Sequence, residues 1–295
     1  MARQPDRSAA RRPLLRPFRG PAGRPRLWVY AVHPGGLPAD LWQGLTDVLP
    51  ADVGLSVLDL HNVPEYFEAA LTGGLPDVTL PEIGRRCLAE LAADRPPHVP
   101  YALVGWSFGG VVAFEMSRGL AGDTRPAHLV LLDSIAPTPE FKRTEELLEP
   151  PLLIRWFAMY LAAKRGRPLD AEPEIAARTT EAGLAALLAR VTGNGVLPAD
   201  TSPPGLRKLY DSYVGGLLRN NHLVLSYEPG PVPWPLTLVK ARRSLLPEYG
   251  DLGWSDLAPV RLEHGPGDHY SILSDPSAWA LVADLVGRPP AAAAA

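Results

Sequence analysis

Along this chain, short apolar runs take turns with segments in which apolar residues recur three and four positions apart. The runs are RLWVYAVH (26–33), GLSVLDLH (54–61), YALVGWS (101–107), AHLVLLDS (127–134), PLTLVKAR (235–242) and APVRLEHG (258–265). Most are continuously apolar and do not alternate. Continuous runs suit strands covered on both faces, as in a parallel sheet between helices. PADLWQGLTDVL from Pro38, TLPEIGRRCLAELAA from Thr79, GGVVAFEMSRGLA from Gly109 and DPSAWALVADLVG from Asp275 carry helical spacing instead. Strand and helix in alternation predict an open α/β fold with right-handed crossovers.

One stretch breaks the rhythm. From Pro137 to about Pro231 there is no convincing strand, only helical patterns over Phe141 to Lys164, Pro173 to Val191 and Pro204 to Ser226. A segment of that length between two sheet strands predicts an inserted helical cap over a site. The first cap helix carries an apolar stripe that includes Leu153, Trp156, Phe157 and Tyr160. Such a stripe either packs against the other cap helices or lines an acyl pocket.

Composition narrows the classes. Of 295 residues 46% are hydrophobic and 21% charged, enough for a large soluble core, and the net charge of -3 gives no general attraction to nucleic acid or to an anionic membrane. No run reaches the roughly 18 apolar residues of a membrane span. Neither nucleic acid nor membrane is therefore an expected partner. The single cysteine, Cys87, falls on the core side of a helical pattern and suits a reducing compartment. Residues 1–25 are rich in Arg and Pro with no apolar signal segment, so a disordered leader or linker is expected there and the location is expected to be cytoplasmic. A single domain is expected over 26–290, with the cap at about 137–231 and a frayed alanine tail at 291–295.

The chemistry concentrates at GWSFGG (105–110), where a strand pattern meets a helix pattern with Ser107 on the corner. Glycines at 105 and 109 relieve the crowding of such a corner, and the following helix aims its N-terminal amides at the serine. A serine hydroxyl needs a base, and the base needs an acid to orient it. In a strand-to-helix elbow of this kind the order is Ser, acid, His, each at or beyond the C-terminal end of a strand. His269, in EHGPGDHYSIL past the last strand, is the expected base, in preference to His264 at the end of that strand. Asp133, closing an apolar strand, is the preferred acid; Asp251, or less readily Glu248, after the later strand is the alternative. Two backbone amides are needed for an oxyanion. Those of Phe108, next to the nucleophile, and Gly35, in the HPGG loop after the first strand, are the candidates.

These residues together resemble the chain-terminating thioesterase domains of nonribosomal peptide synthetases and some polyketide synthases, within the α/β-hydrolase superfamily. HPGG (33–36) is similar to that family's oxyanion loop, VGWSFGG (104–110) to its nucleophile elbow and LVLLDS (129–134) to its strand-six acid. NNHLVLSYEPGPVPWPLTLVKA (220–241) is similar to the end of its lid and the next strand, and GDHYSIL (267–273) to its histidine loop. The likeness runs from about Leu27 to Gly287, with one departure: Leu37 stands where the family loop often has its second glycine. The resemblance implies an α/β-hydrolase fold with a helical lid after the sixth strand, Ser107 as the acylated nucleophile, His269 as base and Asp133 as acid. It also implies an acyl or peptidyl chain delivered on the phosphopantetheine of a carrier protein, no cofactor of the enzyme's own, and release by water or by ring closure. Arg85, Arg86, Lys142, Arg143, Lys164 and Arg165 are basic positions available to an acidic carrier. An esterase or lipase acting on oxygen esters, or an inactive binding module on the same fold, are the competing functions.

Overall fold

A computed structural model of the chain describes residues 13–142, 148–167 and 179–289. Seven strands form one sheet in the order β1-β3-β2-β4-β5-β6-β7. They are β1 (Leu15–Arg19), β2 (Leu27–His33), β3 (Val53–Asp59), β4 (Tyr101–Trp106), β5 (His128–Leu132), β6 (Leu236–Arg243) and β7 (Val260–Asp268). All neighbours pair parallel except β1, which runs antiparallel to β3 at one edge. The central strand β4 is buried at every position, and β2 and β5 nearly so. Their unbroken apolar runs are what a sheet covered on both faces demands.

The flanking helices are α1 (Gln43–Val48), α2 (Pro64–Thr72), α3 (Leu80–Asp94), α4 (Phe108–Arg118) and α8 (Pro276–Gly287). Helix α1 packs with α8, where Trp42 and Trp279 meet at 5.2 Å, and α3 packs with α4. Cys87 is fully buried in α3, and burial pushes its thiol up to about 12. Helix α2 lies outside the helical patterns of the sequence; it is short, and only Tyr66 and Ala69 turn into the core.

Between β5 and β6 the described residues hold three helices, α5 (Pro150–Lys164), α6 (Thr180–Gly193) and α7 (Pro203–Leu225). They pack on one another and fill the place of the expected cap. In chain order the insertion follows the fifth strand of this sheet, not a sixth, because no further strand comes between β1 and β5. No described helix is long and apolar enough to cross a membrane.

The expected disordered leader needs correction for Leu15–Arg19, which is strand β1. Its arginines, read from composition as a sign of disorder, are anchors. Arg16 reaches Asp40 at 2.7 Å and Asp59 at 3.5 Å, and Arg19 donates to the carbonyls of Thr46, Leu49 and Pro50. Pro17 is tolerated because an edge strand has one ladder side without a partner. The rest of the leader before residue 13, the tail at 291–295, Arg143 and the expected start of the second cap helix at Pro173 lie outside the described residues.

Candidate active site

The parallel strands deliver their C-terminal ends to one rim of the sheet, and Ser107 sits there between β4 and α4. Its φ of 55° is left-handed, a strained geometry for a residue with a side chain. The corner is closed so tightly that a Cβ on Gly109 would lie 2.2 Å from the Val32 carbonyl oxygen, and one on Gly105 would lie 2.5 Å from the Gly109 oxygen. Glycine is therefore required at both flanks, as the elbow pattern predicts. Helix α4 opens at Phe108 with Ser107 capping it, so its N-terminal end lies at the serine, and the Gly110 amide donates to the Ser107 carbonyl at 2.9 Å.

Asp133 is the residue after β5, also with a left-handed φ, 43°. Its backbone N–H donates to the Val239 carbonyl at 2.9 Å, and its Oδ1 accepts from the Ala241 N–H at 2.9 Å. The neighbouring strand β6 thus locks the carboxylate from both ends. Oδ2 lies 2.8 Å from Nδ1 of His269, and His269 Nε2 lies 3.0 Å from Ser107 Oγ. A carboxylate only accepts, so Nδ1 carries the proton and the Nε2 lone pair is left to face the serine hydroxyl. Asp133 and His269 are almost wholly buried, at 1% and 2% exposure, while Ser107 remains half-buried and reachable.

The alternatives fall elsewhere. Asp251 accepts from the amides of Gly253 and Ser255 at 3.0 and 3.2 Å and so shapes the turn before Trp254. Partial burial raises its carboxyl, but the hydrogen bonds outweigh that and hold it below its ordinary value. Glu248 is exposed in the same loop, and His264 is exposed on β7. None of the three is bonded to Ser107 or His269.

Several supporting residues escaped the sequence reading. Trp106, directly before the nucleophile, donates through Nε1 to the His269 carbonyl at 2.8 Å and stacks on the His33 ring at 5.8 Å. Asp268 accepts from the amides of Tyr270 and Ser271 and pairs with Arg243 at 3.2 Å, which tightens the loop carrying His269. Lys240 is buried and donates to the carbonyls of Pro247 and Tyr249, pinning the loop after β6. His33 accepts from Trp42 Nε1 at Nδ1 and so donates from Nε2 to the Leu37 carbonyl at 2.8 Å, bracing the HPGG loop from within. Burial lowers its pKa, which keeps it neutral for that task. Gly35 and Gly36 in that loop have φ of 92° and 81°. The signal for Asp268 was present in GDHY, but its neighbours become visible only once the loop is folded.

Aromatic side chains fasten the cap to this rim. The hydroxyls of Tyr213, on α7, and Tyr270, next to His269, lie 2.7 Å apart and buried. Tyr160 of α5 donates to the Gly36 carbonyl at 3.2 Å, and Trp156 donates to the Leu245 carbonyl at 3.0 Å.

A cavity of about 150 Å³ opens beside Ser107, Asp133 and His269, walled by Phe108, Val111, Phe141, Trp156, Leu217 and Leu246 among others. Of the stripe on α5 only Trp156 reaches this wall; Leu153, Ile154, Phe157 and Met159 are buried in the packing between helices. A larger cavity, about 750 Å³, lies at the opposite end of the strands, lined by Arg125, Trp234, Arg261 and Arg288. Arg261 and Arg288 there are already paired with Glu263 and Asp284, and His128, which also lines it, has its ring hydrogen-bonded to the Arg288 backbone, with no serine or carboxylate of the relay beside it. The smaller cavity is the one that adjoins chemistry.

Comparison with known proteins supplies a family. A family model described as Thioesterase domain matches residues 29–199. The chain is 28% identical over 211 residues to the non-reducing polyketide synthase PKS1 of Zymoseptoria tritici, an alignment covering 66% of this chain and 8% of the relative. The chain thus spans less than a tenth of that protein. Among solved structures, it resembles the four-domain nonribosomal peptide synthetase AB3403 with a TM-score of 0.57 at 27% identity, covering 92% of this chain and 20% of that one. It also resembles the NocB thioesterase domain in covalent complex with a fluorophosphonate nocardicin G analog, with a TM-score of 0.50 at 26% identity, covering 91% of this chain and 95% of that one.

Proposed function

This chain belongs to the thioesterase domain family, and from that premise we propose that it releases an acyl or peptidyl chain from a carrier-protein phosphopantetheine thioester through an acyl-serine at Ser107. The observation that carries the proposal is the row in which Asp133 bonds His269 and His269 bonds the half-buried Ser107. The relatives add support, since PKS1 and AB3403 are a polyketide synthase and a nonribosomal peptide synthetase.

The steps follow from the donors and acceptors present. Ser107 Oγ attacks the thioester carbonyl carbon while its proton passes to His269 Nε2. Asp133, already accepting from Nδ1, stabilises the imidazolium that forms. The carbonyl oxygen becomes an oxyanion and is met by the amides of Phe108 and Gly35. Collapse breaks the carbon–sulfur bond, and the departing thiolate takes the proton from Nε2. Water, or a hydroxyl or amine within the acyl chain, then attacks the acyl-serine with His269 again taking the proton. The products are a free acid or a ring, and Ser107 regains its hydrogen.

The test is turnover of a pantetheine thioester followed by mass spectrometry of the products. Release of acid or lactone that falls by at least about a thousandfold in Ser107→Ala is the expected result. Turnover that survives that substitution would overturn the proposal.

A further inference from the structure

The cavity beside Ser107 is built mostly of carbon. Phe108, Val111, Ile135, Phe141, Leu217 and Leu246 supply its walls, and the polar side chains apart from the relay are Asn220 and Asn221 at the end of α7. Asn221 is engaged with other protein groups. Asn220 is held differently.

Tyr66, buried on α2, donates its hydroxyl to Asn220 Oδ1. The other acceptor near that hydroxyl, the Pro34 carbonyl, is 3.5 Å away and too distant to compete. Burial pushes the Tyr66 phenol up to about 12, so it retains its proton at neutral pH. With Oδ1 taken, Asn220 offers the two N–H groups of its amide nitrogen. Among the described residues nothing accepts from that nitrogen, and it is not sealed off, since Asn220 is half-buried and absent from the buried orphaned atoms. An oriented donor in an apolar wall loses hydration when a ligand arrives, and the loss is made good only by an acceptor on the ligand.

We propose that Asn220, oriented by Tyr66, is a specificity residue that selects acyl chains bearing a hydrogen-bond-accepting oxygen beyond the scissile carbonyl, such as a 3-oxo or peptidyl carbonyl, over saturated chains of the same length. The inference rests on the acyl-serine chemistry at Ser107. A saturated chain covers the amide and leaves it without a partner, whereas an oxygenated chain supplies one. Discrimination of about tenfold to a hundredfold is what one such bond provides at a partly open site.

The experiment compares kcat/KM for 3-oxohexanoyl and hexanoyl thioesters of N-acetylcysteamine in the parent chain, in Asn220→Leu and in Tyr66→Phe. A 3-oxo thioester is intrinsically more electrophilic, so the readout is the ratio of the two substrates and its change on substitution. The ratio is expected to fall at least tenfold in Asn220→Leu and by a smaller factor in the same direction in Tyr66→Phe. Labelling of Ser107 by a fluorophosphonate in each variant verifies that the fold and relay are intact, and should Asn220→Leu not fold, Tyr66→Phe decides alone. A ratio unchanged by substitution, with both thioesters still turned over, overturns the role of Asn220. Failure of the parent chain to turn over either thioester would instead count against the acyl-serine proposal itself.

Discussion

The rim of the sheet and the cap above it meet at the same cavity, yet they are held in place by different means. At the rim, Ser107, Asp133 and His269 are fixed by backbone. Strained φ angles, glycines with no room for a Cβ and bonds from β6 to Asp133 leave each side chain little freedom. The cap is fastened to the body around the cavity through side chains: Trp156 to the Leu245 carbonyl, Tyr213 to Tyr270, Tyr160 to Gly36 and Asn220 to Tyr66. Backbone placement is set by the sheet's own hydrogen bonding and is costly to shift. Side-chain fastenings are individually modest, about 1 kcal/mol each. Under the two proposals above, the bond-breaking chemistry falls to the rim and the choice of chain to the cap.

The largest effect that would break this contrast is at the acid. Asp133→Asn leaves the shape intact but turns an acceptor into a side chain whose amide opposes Nδ1–H, so kcat is expected to fall by about a thousandfold to ten-thousandfold. Asp251→Asn is expected to stay within a few-fold in kcat, because Asp251 shapes a turn and does not face the imidazole. Steady-state kinetics of the two variants decide between them. A large loss at 251 with little at 133 would move the acid to the other loop and undo the assignment of roles. On the cap side, the substrate ratio in Asn220→Leu is the intermediate effect.

The smallest effect concerns the brace beneath the HPGG loop. Burial holds His33 below its ordinary pKa of about 6.5. As pH falls below that value the unfolded chain takes up a proton that the folded one refuses, so stability present above about pH 6.5 is lost toward lower pH. His128, also lowered by burial, acts in the same window. The melting temperature is expected to be flat from pH 8 to 7 and to decline below 6.5. The slope is at most about 1.4 kcal/mol per pH unit for each histidine, and His33→Gln should flatten it. A decline identical in that variant would show that His33 does not contribute.

Much of the rim was legible in the chain because its signals are local. A strand pattern, a serine between glycines and a helix pattern occur together in 101–116, and an aspartate closing an apolar strand stands out by type. His269 was placed by chain order and by the loop it occupies. The misses have a common cause. Strand β1 hid behind arginines whose partners are carbonyls some 30 residues away, such as Leu49 and Pro50 for Arg19. Tyr66 lies in no quoted motif, and although Trp106, Asn220 and Tyr270 fall within the stretches 104–110, 220–241 and 267–273, nothing in their type or spacing names their partners. Their roles arise from contacts across the fold, such as Tyr66 with Asn220, 154 positions apart. The same reasoning separates the α5 residues, where a single helical stripe contained both the cavity wall at Trp156 and ordinary core at Phe157.

The central claim is that Ser107 becomes acylated by a thioester with His269 and Asp133 behind it. Its most direct measurement is intact and peptide-level mass spectrometry after brief mixing of the chain with a hexanoyl pantetheine thioester. The account predicts one acyl group on the peptide containing Ser107, absent in Ser107→Ala and formed far more slowly in His269→Ala. An acyl group mapped to another residue, or product formed at full rate with Ser107 never acylated, would contradict it.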